Sequence, residues 1–184
     1  MRSDVAGAGS RSREISRVVG RFRHLARRFF GVLSARVEPS ELSILDRYFS
    51  ASERHLFLRM RIADQRHSLD LCGRLIRDGH SDPDLIRAAL LHDVGKAFGP
   101  LPLPFRVAFA LCRMADSRLA AWLAHPDRPG LFLPFQIAGN HAAIGARAAE
   151  QAGSNSTVVR LIAGHDSVGD DDLSRLLHQY DGQM

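Results

Sequence analysis

Apolar residues recur at intervals of three and four along most of this chain, which is the spacing of one face of an α-helix. Between Glu14 and Val37 the apolar positions are separated by arginines, a pattern that predicts a basic amphipathic helix. Alternation of period two, which would indicate half-buried strands, does not occur, so the pattern predicts an all-α fold. Further helical patterns cover residues 42–49, 52–62, 64–77, 85–94, 105–123, 141–152, 156–165 and 173–180.

Local signals mark the ends of several of these helices. Gly79 is well placed to end the preceding helix in a left-handed conformation. Asp82 and Pro83 form an N-terminal signal, a capping residue followed by a residue favoured in the first helical turn. Asn140 is expected to cap a helix that begins at His141.

The length and composition predict one folded domain with an N-terminal extension. A chain of 184 residues with 45% hydrophobic content can bury one sizeable core. We expect residues 37–184 to form the helical domain, and residues 1–36 to combine a flexible basic tail with the amphipathic helix. Cys72 and Cys112 fit no ligand spacing and are too few for a disulfide scaffold, which favours a cytoplasmic setting. Neither a membrane span nor a secretory signal is evident.

Positive charge is concentrated at the N-terminus. The net charge is +5, but residues 1–36 alone carry +7, which leaves −2 for the rest of the chain. Nucleic acid is therefore not an expected partner, because the domain itself lacks a basic strip interleaved with aromatic residues. Residues 14–36 could pack on the domain, contact an anionic membrane surface or act as an organellar transit peptide. The second alternative would place the protein peripherally at a membrane.

Residues 97–138 stand out by composition. They contain six of the eight prolines, five of the ten phenylalanines and the one tryptophan, Trp122. We expect this segment to complete the core. The alternatives are a lid or base-stacking wall for a nucleotide, and an interfacial or dimer patch.

The chemistry of the chain is concentrated in four histidines and two aspartates whose contexts resemble helix ends and helix faces. Imidazole and carboxylate groups together are typical ligands of iron, manganese or zinc, so we expect one or two divalent ions as cofactor. The candidate ligands are His67, His92, Asp93, His141, His165 and Asp181.

The strongest local motif is Leu-Leu-His-Asp-Val-Gly-Lys, at the C-terminal end of an apolar helical pattern. Adjacent helical side chains diverge by about 100°, so His92 and Asp93 reach a common region from opposite flanks. A metal between them would satisfy both. The Asp93 carboxylate follows Leu90 and Leu91, and burial there would require a cation or strong donors nearby.

This motif, with His67 before it and Asp181 near the end of the chain, resembles the HD-domain metal-dependent phosphohydrolases over roughly residues 60–184. The resemblance implies an HD-domain-like helical bundle. It also implies that one metal is held by four of these side chains, namely His67, His92, Asp93 and Asp181.

The resemblance extends to HD proteins with a two-metal centre. His141 and His165 look like their additional ligands, which implies a second ion with Asp93 bridging the two. Lys96 matches a lysine that faces the substrate phosphate in related proteins, and it is the only lysine of the chain. Asp93 and Lys96 are therefore the expected catalytic residues.

Some of these assignments have competitors. His67 could be a surface residue, and Asp166 is the rival of Asp181 as the last ligand, because the end of a chain often frays. Five further histidines are interpreted as ordinary residues, with His125 the first exception to consider. They are His24, His55, His80, His125 and His178.

The expected function is hydrolysis of a phosphoester or phosphoanhydride bond in a small phosphate compound, foremost a nucleotide, by a metal-activated hydroxide. The sequence shows no serine or cysteine nucleophile with a partnered base, and it lacks the Gly-Tyr-Pro signature of cyclic di-GMP phosphodiesterases. The alternative is a non-catalytic, metal-containing nucleotide-sensing or interaction module tethered by the basic N-terminal helix.

Overall fold

The computed structural model describes residues 35–183 and contains, within them, nine α-helices, three 3-10 helices and no β-strand. The predicted all-α class is therefore confirmed. The α-helices are α1 (Ser43–Tyr48), α2 (Ala51–Leu58), α3 (Ile62–Arg77), α4 (Pro83–Leu91), α5 (Leu103–Ala115), α6 (Ser117–Leu123), α7 (Leu133–Gln151), α8 (Ser156–Gly164) and α9 (Asp172–Gly182). The 3-10 helices are Pro39–Leu42, Val94–Phe98 and Gly130–Phe132. The basic helix predicted between Glu14 and Val37 falls largely outside the described residues, which begin at residue 35.

Helix α4 lies at the centre of the main hydrophobic core. Six of its nine residues are buried, and it packs against α3 on one side and α8 on another, with α1, α2 and α9 also in contact. Ala88 and Ala89 are completely buried, and their small side chains allow the neighbouring helices to approach closely. Because α4 is enclosed, the residues that directly follow it, His92 and Asp93, are buried as well.

The 3-10 helix Val94–Phe98 packs directly on the backbone of α7. A Cβ atom added at Gly95 would lie 1.9 Å from the carbonyl oxygen of His141 and 2.8 Å from the amide nitrogen of Gly145. Only glycine permits this approach. The contact sets α7 in register against the end of α4, so that His141 comes to lie opposite Asp93.

Two of the predicted helix ends are confirmed. Gly79 has a φ of +89° just after α3, a conformation that favours glycine. The Asp82 side chain accepts hydrogen bonds from the amides of Asp84 and Leu85, and Pro83 is the first residue of α4. The pattern expected to continue to residue 94 ends as an α-helix at Leu91 and tightens into the 3-10 helix.

The prediction that Asn140 caps a helix is wrong. Helix α7 begins at Leu133, and Asn140 lies inside it, in its first half. Its side-chain amide donates to the carbonyl oxygens of Ala124 and Gln136, so it connects α7 to the end of α6. The helix predicted over residues 105–123 is interrupted at Asp116, whose side chain caps α6.

Helices α5 and α6 form a small apolar cluster with the first half of α7. Its buried members are Phe109, Ala120 and Ala124, with Phe135 packed against them. Trp122 remains about half exposed, although Arg128 stacks over its ring at 3.8 Å. The α5–α6 segment, residues 103–123, therefore forms a satellite cluster beside the main core instead of extending it.

Among the described helices, none combines the length and the apolar character needed to cross a bilayer.

Candidate metal centre

The structure brings all six predicted metal-binding side chains together from five helices or their ends. They are His67 on α3, His92 and Asp93 directly after α4, His141 on α7, His165 directly after α8 and Asp181 on α9. Asp166, the predicted rival of Asp181, joins them instead of replacing it. These residues form overlapping sets of three whose potential ligand atoms all lie within 4.8 Å of one another. Buried histidine and aspartate groups that could hold a metal ion are thus present.

His67, His92 and Asp181 form the first donor group. The Nε2 atom of His67 lies 2.8 Å from Oδ1 of Asp181, and Nε2 of His92 lies 3.6 Å from the same oxygen. His92 is completely buried, whereas His67 and Asp181 are partly exposed. The group therefore has a closed side and a side that solvent can reach.

His141, His165 and Asp166 form the second donor group. The Nε2 atoms of the two histidines are 3.2 Å apart, and Oδ2 of Asp166 lies 3.6 Å from Nε2 of His141. Both histidines are buried, and the Asp166 side chain retains 35% of its exposure. This group, too, opens on its carboxylate side.

Asp93 lies between the two groups and presents one oxygen to each. Its Oδ2 lies 3.6 Å from Nε2 of His92, and its Oδ1 lies 3.4 Å from Nε2 of His141. Oδ1 also accepts a contact of 2.6 Å from Nζ of Lys96. The buried carboxylate that the sequence placed against leucines thus has the cation that its burial requires.

Three of the histidines are oriented by the same kind of hydrogen bond to the backbone. Nδ1 of His92 lies 2.9 Å from the carbonyl oxygen of Ala89, three residues earlier, and His141 and His165 repeat this contact at 2.8 and 2.7 Å. A carbonyl oxygen only accepts, so Nδ1 carries the proton in each case. When its ring is neutral, each of these histidines therefore turns the lone pair of its Nε2 toward the centre, which is the arrangement that metal-binding histidines use.

The arrangement of the histidine Nε2 atoms is better explained by binding of a cation than by hydrogen bonds between them. Nε2 of His92 is buried and has no hydrogen-bond partner among the described residues, a costly situation for a polar atom. The facing Nε2 atoms of His141 and His165 are both lone-pair atoms when the rings are neutral. Two nitrogens that share one ion at about 2.1 Å lie about 3.0 to 3.4 Å apart, and the observed 3.2 Å falls in this interval.

The protonation states of His92, His165 and Asp93 also favour metal binding. Burial lowers the pKa of His92 to about 4 and also lowers the pKa of His165, which keeps both rings neutral at neutral pH. Burial opposes the ionisation of Asp93, but the Lys96 ammonium and the adjacent imidazoles hold its pKa well below the ordinary value. Asp93 is therefore charged, whereas His92 and His165 are not, as metal binding requires.

The position of Asp181 near the end of the chain is secured by its neighbours in α9. The hydroxyl of Tyr180 donates to Asp78 at 2.6 Å, and the Arg74 guanidinium donates to the Gln183 side chain at 2.9 Å. Nδ1 of His178 lies 3.0 Å from the carbonyl oxygen of His165, so this ordinary histidine holds the end of α8 in place. These contacts counteract the fraying expected of a terminal turn.

Three polar residues near the centre were not singled out from the sequence as members of the site. Arg106 donates to both carboxylate oxygens of Asp64, at 2.6 and 2.8 Å, and so ties α5 to the first turn of α3. Arg113 lies 3.4 Å from Asp166. No local pattern could have indicated these pairings, because each joins positions more than forty residues apart. His125 is exposed beside Asp127 and stands with the ordinary histidines.

Comparison with protein-family models, with curated proteins and with solved structures finds no match for this chain. The interpretation of the centre therefore depends on its own geometry.

Proposed function

We propose that this protein is a metal-dependent phosphohydrolase that uses a pair of divalent ions. The observation that carries the proposal is the placement of Asp93, with one oxygen toward each donor group and a lysine ammonium beside it. Two donor groups that share a carboxylate are what a two-metal phosphoryl-transfer site needs. The resemblance of the His-Asp motif to HD-domain phosphohydrolases supports the same conclusion.

Each donor group would hold one ion. The first would use His67, His92 and Asp181, with Oδ2 of Asp93. The second would use the two histidines and the aspartate of the second donor group, with Oδ1 of Asp93. Nitrogen and oxygen donors in this mixture suit iron, manganese or zinc.

When bound, the ions would supply Lewis acidity and lower the pKa of water to about 7, which makes a nucleophile for phosphorus. The protein's own groups supply the rest. Lys96 uses one contact on Asp93, and its ammonium has two further donors for a phosphoryl oxygen. Asp93 remains ionised because of its cationic and imidazole neighbours, so its role is to hold charge and not to deliver a proton.

The substrate class is a small phosphoester or phosphoanhydride, foremost a nucleotide. Burial of His92, Asp93, His141 and His165 gives an environment of low dielectric in which Lys96 acts strongly on a phosphoryl group. The donor groups are open on their carboxylate sides, at Asp181 and Asp166, which is where a substrate would approach.

The decisive experiment counts metal ions in the full chain purified without chelator. We expect about two ions per chain in the wild type, the number used by two-metal hydrolases. H67A and H141A should each lose one ion, since each removes a ligand from one donor group. D93N should lose both. H55A, which removes an exposed histidine of α2, is the matched control.

The same variants are then assayed on an aryl phosphate and a panel of nucleotides. D93N should lower turnover by about a hundredfold or more, while D172N, at an exposed aspartate of α9, should leave it unchanged. Full activity of D93N would refute the proposal. Two ions without turnover on any member of the panel would instead identify a non-catalytic, metal-containing sensing module.

A further inference from the structure

An arginine from the α5 helix lies next to the second donor group. Nη1 of Arg113 is 3.4 Å from Oδ1 of Asp166, and the other oxygen of that carboxylate is 3.6 Å from Nε2 of His141. One carboxylate therefore separates the guanidinium from the ligand atoms. Arg113 is therefore a cation close to the ligand atoms of this group, as Lys96 is at Asp93.

The two cations are held in different ways. Lys96 is mostly buried and lies 2.6 Å from Asp93. The Arg113 side chain is 60% exposed, and its contact with Asp166 is at the long end of hydrogen bonding. Ion pairs of this exposed kind contribute little and are readily exchanged. Arg113 is thus available to an anion that arrives from solvent.

Both cations border the second donor group. Lys96 lies 2.6 Å from Oδ1 of Asp93, which is 3.4 Å from Nε2 of His141, and Arg113 contacts Asp166, which is 3.6 Å from the same nitrogen. Arg113 therefore lies on the open side of the group, at Asp166, and Lys96 lies deeper, at Asp93. An anion that enters there meets Lys96 near Asp93 and Arg113 farther out.

We propose that Arg113 binds a phosphate group next to the one held at the donor groups, so that the protein prefers substrates with two or more consecutive phosphates. This inference rests on the proposed function and narrows its substrate class to nucleoside diphosphates, nucleoside triphosphates and other phosphoanhydrides. A guanidinium has five donors in a planar fork, and the contact with Asp166 uses one of them. The remaining donors suit the paired oxygens of a phosphate.

The test measures binding, which does not depend on turnover. Methylenediphosphonate, whose P–C–P linkage resists hydrolysis, and methylphosphonate are titrated by calorimetry into the metal-loaded full chain. R113A should weaken binding of methylenediphosphonate by about tenfold or more, as expected for loss of a charge-assisted hydrogen bond. Binding of methylphosphonate should change by less than about twofold. R113K should give an intermediate affinity, because an ammonium keeps the charge without the fork.

R54A is the matched control, since it also removes an arginine from an exposed ion pair, with Asp46. Equal affinities of R113A and R54A for methylenediphosphonate would overturn the inference. Metal content is measured before and after each titration, so that removal of ions by the phosphonate is recognised. Loss of metal in R113A itself would also overturn it, because Arg113 would then act by positioning Asp166.

Kinetics give a second readout. In R113A the KM for a nucleoside diphosphate should rise about tenfold more than the KM for an aryl phosphate. Equal changes in KM for the two substrates would contradict the inference and leave the phosphohydrolase proposal intact. Absence of turnover in the wild type would refute the phosphohydrolase proposal, and the phosphonate titrations would still test Arg113.

Discussion

Helices α4 and α5 are almost equally apolar in sequence, yet they are buried to different extents. Six of the nine residues of α4 are buried, whereas Phe109 is the one buried residue among the 13 of α5. Helix α4 has partner helices on several sides, and alanines let them approach closely. Along α5, Leu111 and Met114 remain exposed. Apolar composition alone therefore does not determine burial; the available partners do.

The difference in burial between α4 and α5 distinguishes two regions of the molecule. The enclosed region consists of α4 with its partners α3, α8 and α9, together with α7, which packs on α8 and on the 3-10 helix that follows α4. It holds the donor side chains. The α5–α6 segment meets that region through polar contacts of Arg106 and Arg113 and through its own small cluster. Substitutions in the enclosed region should therefore reduce stability strongly, and substitutions in the α5–α6 segment should reduce it less.

The largest effect is expected for G95A, at the backbone contact between the 3-10 helix and α7. The added Cβ would lie 1.9 Å from the carbonyl oxygen of His141, where neither backbone can yield without moving a ligand. We expect the free energy of unfolding to fall by more than about 4 kcal/mol. Chemical denaturation measures the loss, and metal content should fall with it.

G73A is the control for this variant. Gly73 lies within α3, where an added Cβ would meet the flexible end of Arg77 at an ordinary 3.4 Å. Alanine should raise stability by about 0.5 to 1 kcal/mol at this helical position. If G95A unfolded at the same denaturant concentration as wild type, the close contact between Gly95 and α7 would be wrong.

The role of Gly95 illustrates what the sequence could and could not predict. The motif around His92 predicted a buried helix end with metal-binding chemistry, because apolar periodicity and residue type are local properties. That Gly95 is needed for the approach of α7 could not be predicted, since the contact joins positions far apart in sequence. The Nδ1 hydrogen bonds could not be predicted for a different reason: they join residues only three apart, but they depend on backbone positions.

Asp166 illustrates a second limit of prediction from the sequence. From sequence it competed with Asp181 for one place, since a chain pattern lists residues in order but does not show where they meet. In three dimensions they serve opposite sides of the centre, with Asp181 at the first donor group and Asp166 at the second. The wrong prediction at Asn140 has a related cause, because a capping residue type was read without knowledge of its contact with Ala124.

A smaller effect is expected from separating the two regions at the Asp64–Arg106 ion pair. This pair is nearly buried and bidentate, so D64A leaves a guanidinium without its partner. We expect a loss of about 3 kcal/mol, the lower end for breaking a buried pair. A double-mutant cycle with R106A, followed by denaturation, measures the coupling.

The exposed pair of Arg54 with Asp46 provides the control cycle, with an expected coupling of about 0.5 kcal/mol. Metal content should persist in D64A, because α3 remains packed through its own buried leucines. Equal coupling energies in the two cycles would show that the segment is not attached through Arg106.

The smallest effect is expected inside the segment itself, and it tests the comparison directly. Phe109 packs with Ala120, Ala124 and Phe135 in the satellite cluster and retains some exposure, whereas Phe57 is completely buried in the main core. F57A should cost about 4 kcal/mol and F109A about 2 kcal/mol, since a peripheral site collapses more easily around the lost ring. Of the ligand-bearing helices, α7 alone contributes to this cluster, and it is also held in the main core by Ala146, Ala148 and Ala149, so F109A should keep its metal ions. An F109A protein that loses both ions would show that the segment helps to build the metal centre, and the separation between the two regions would fail.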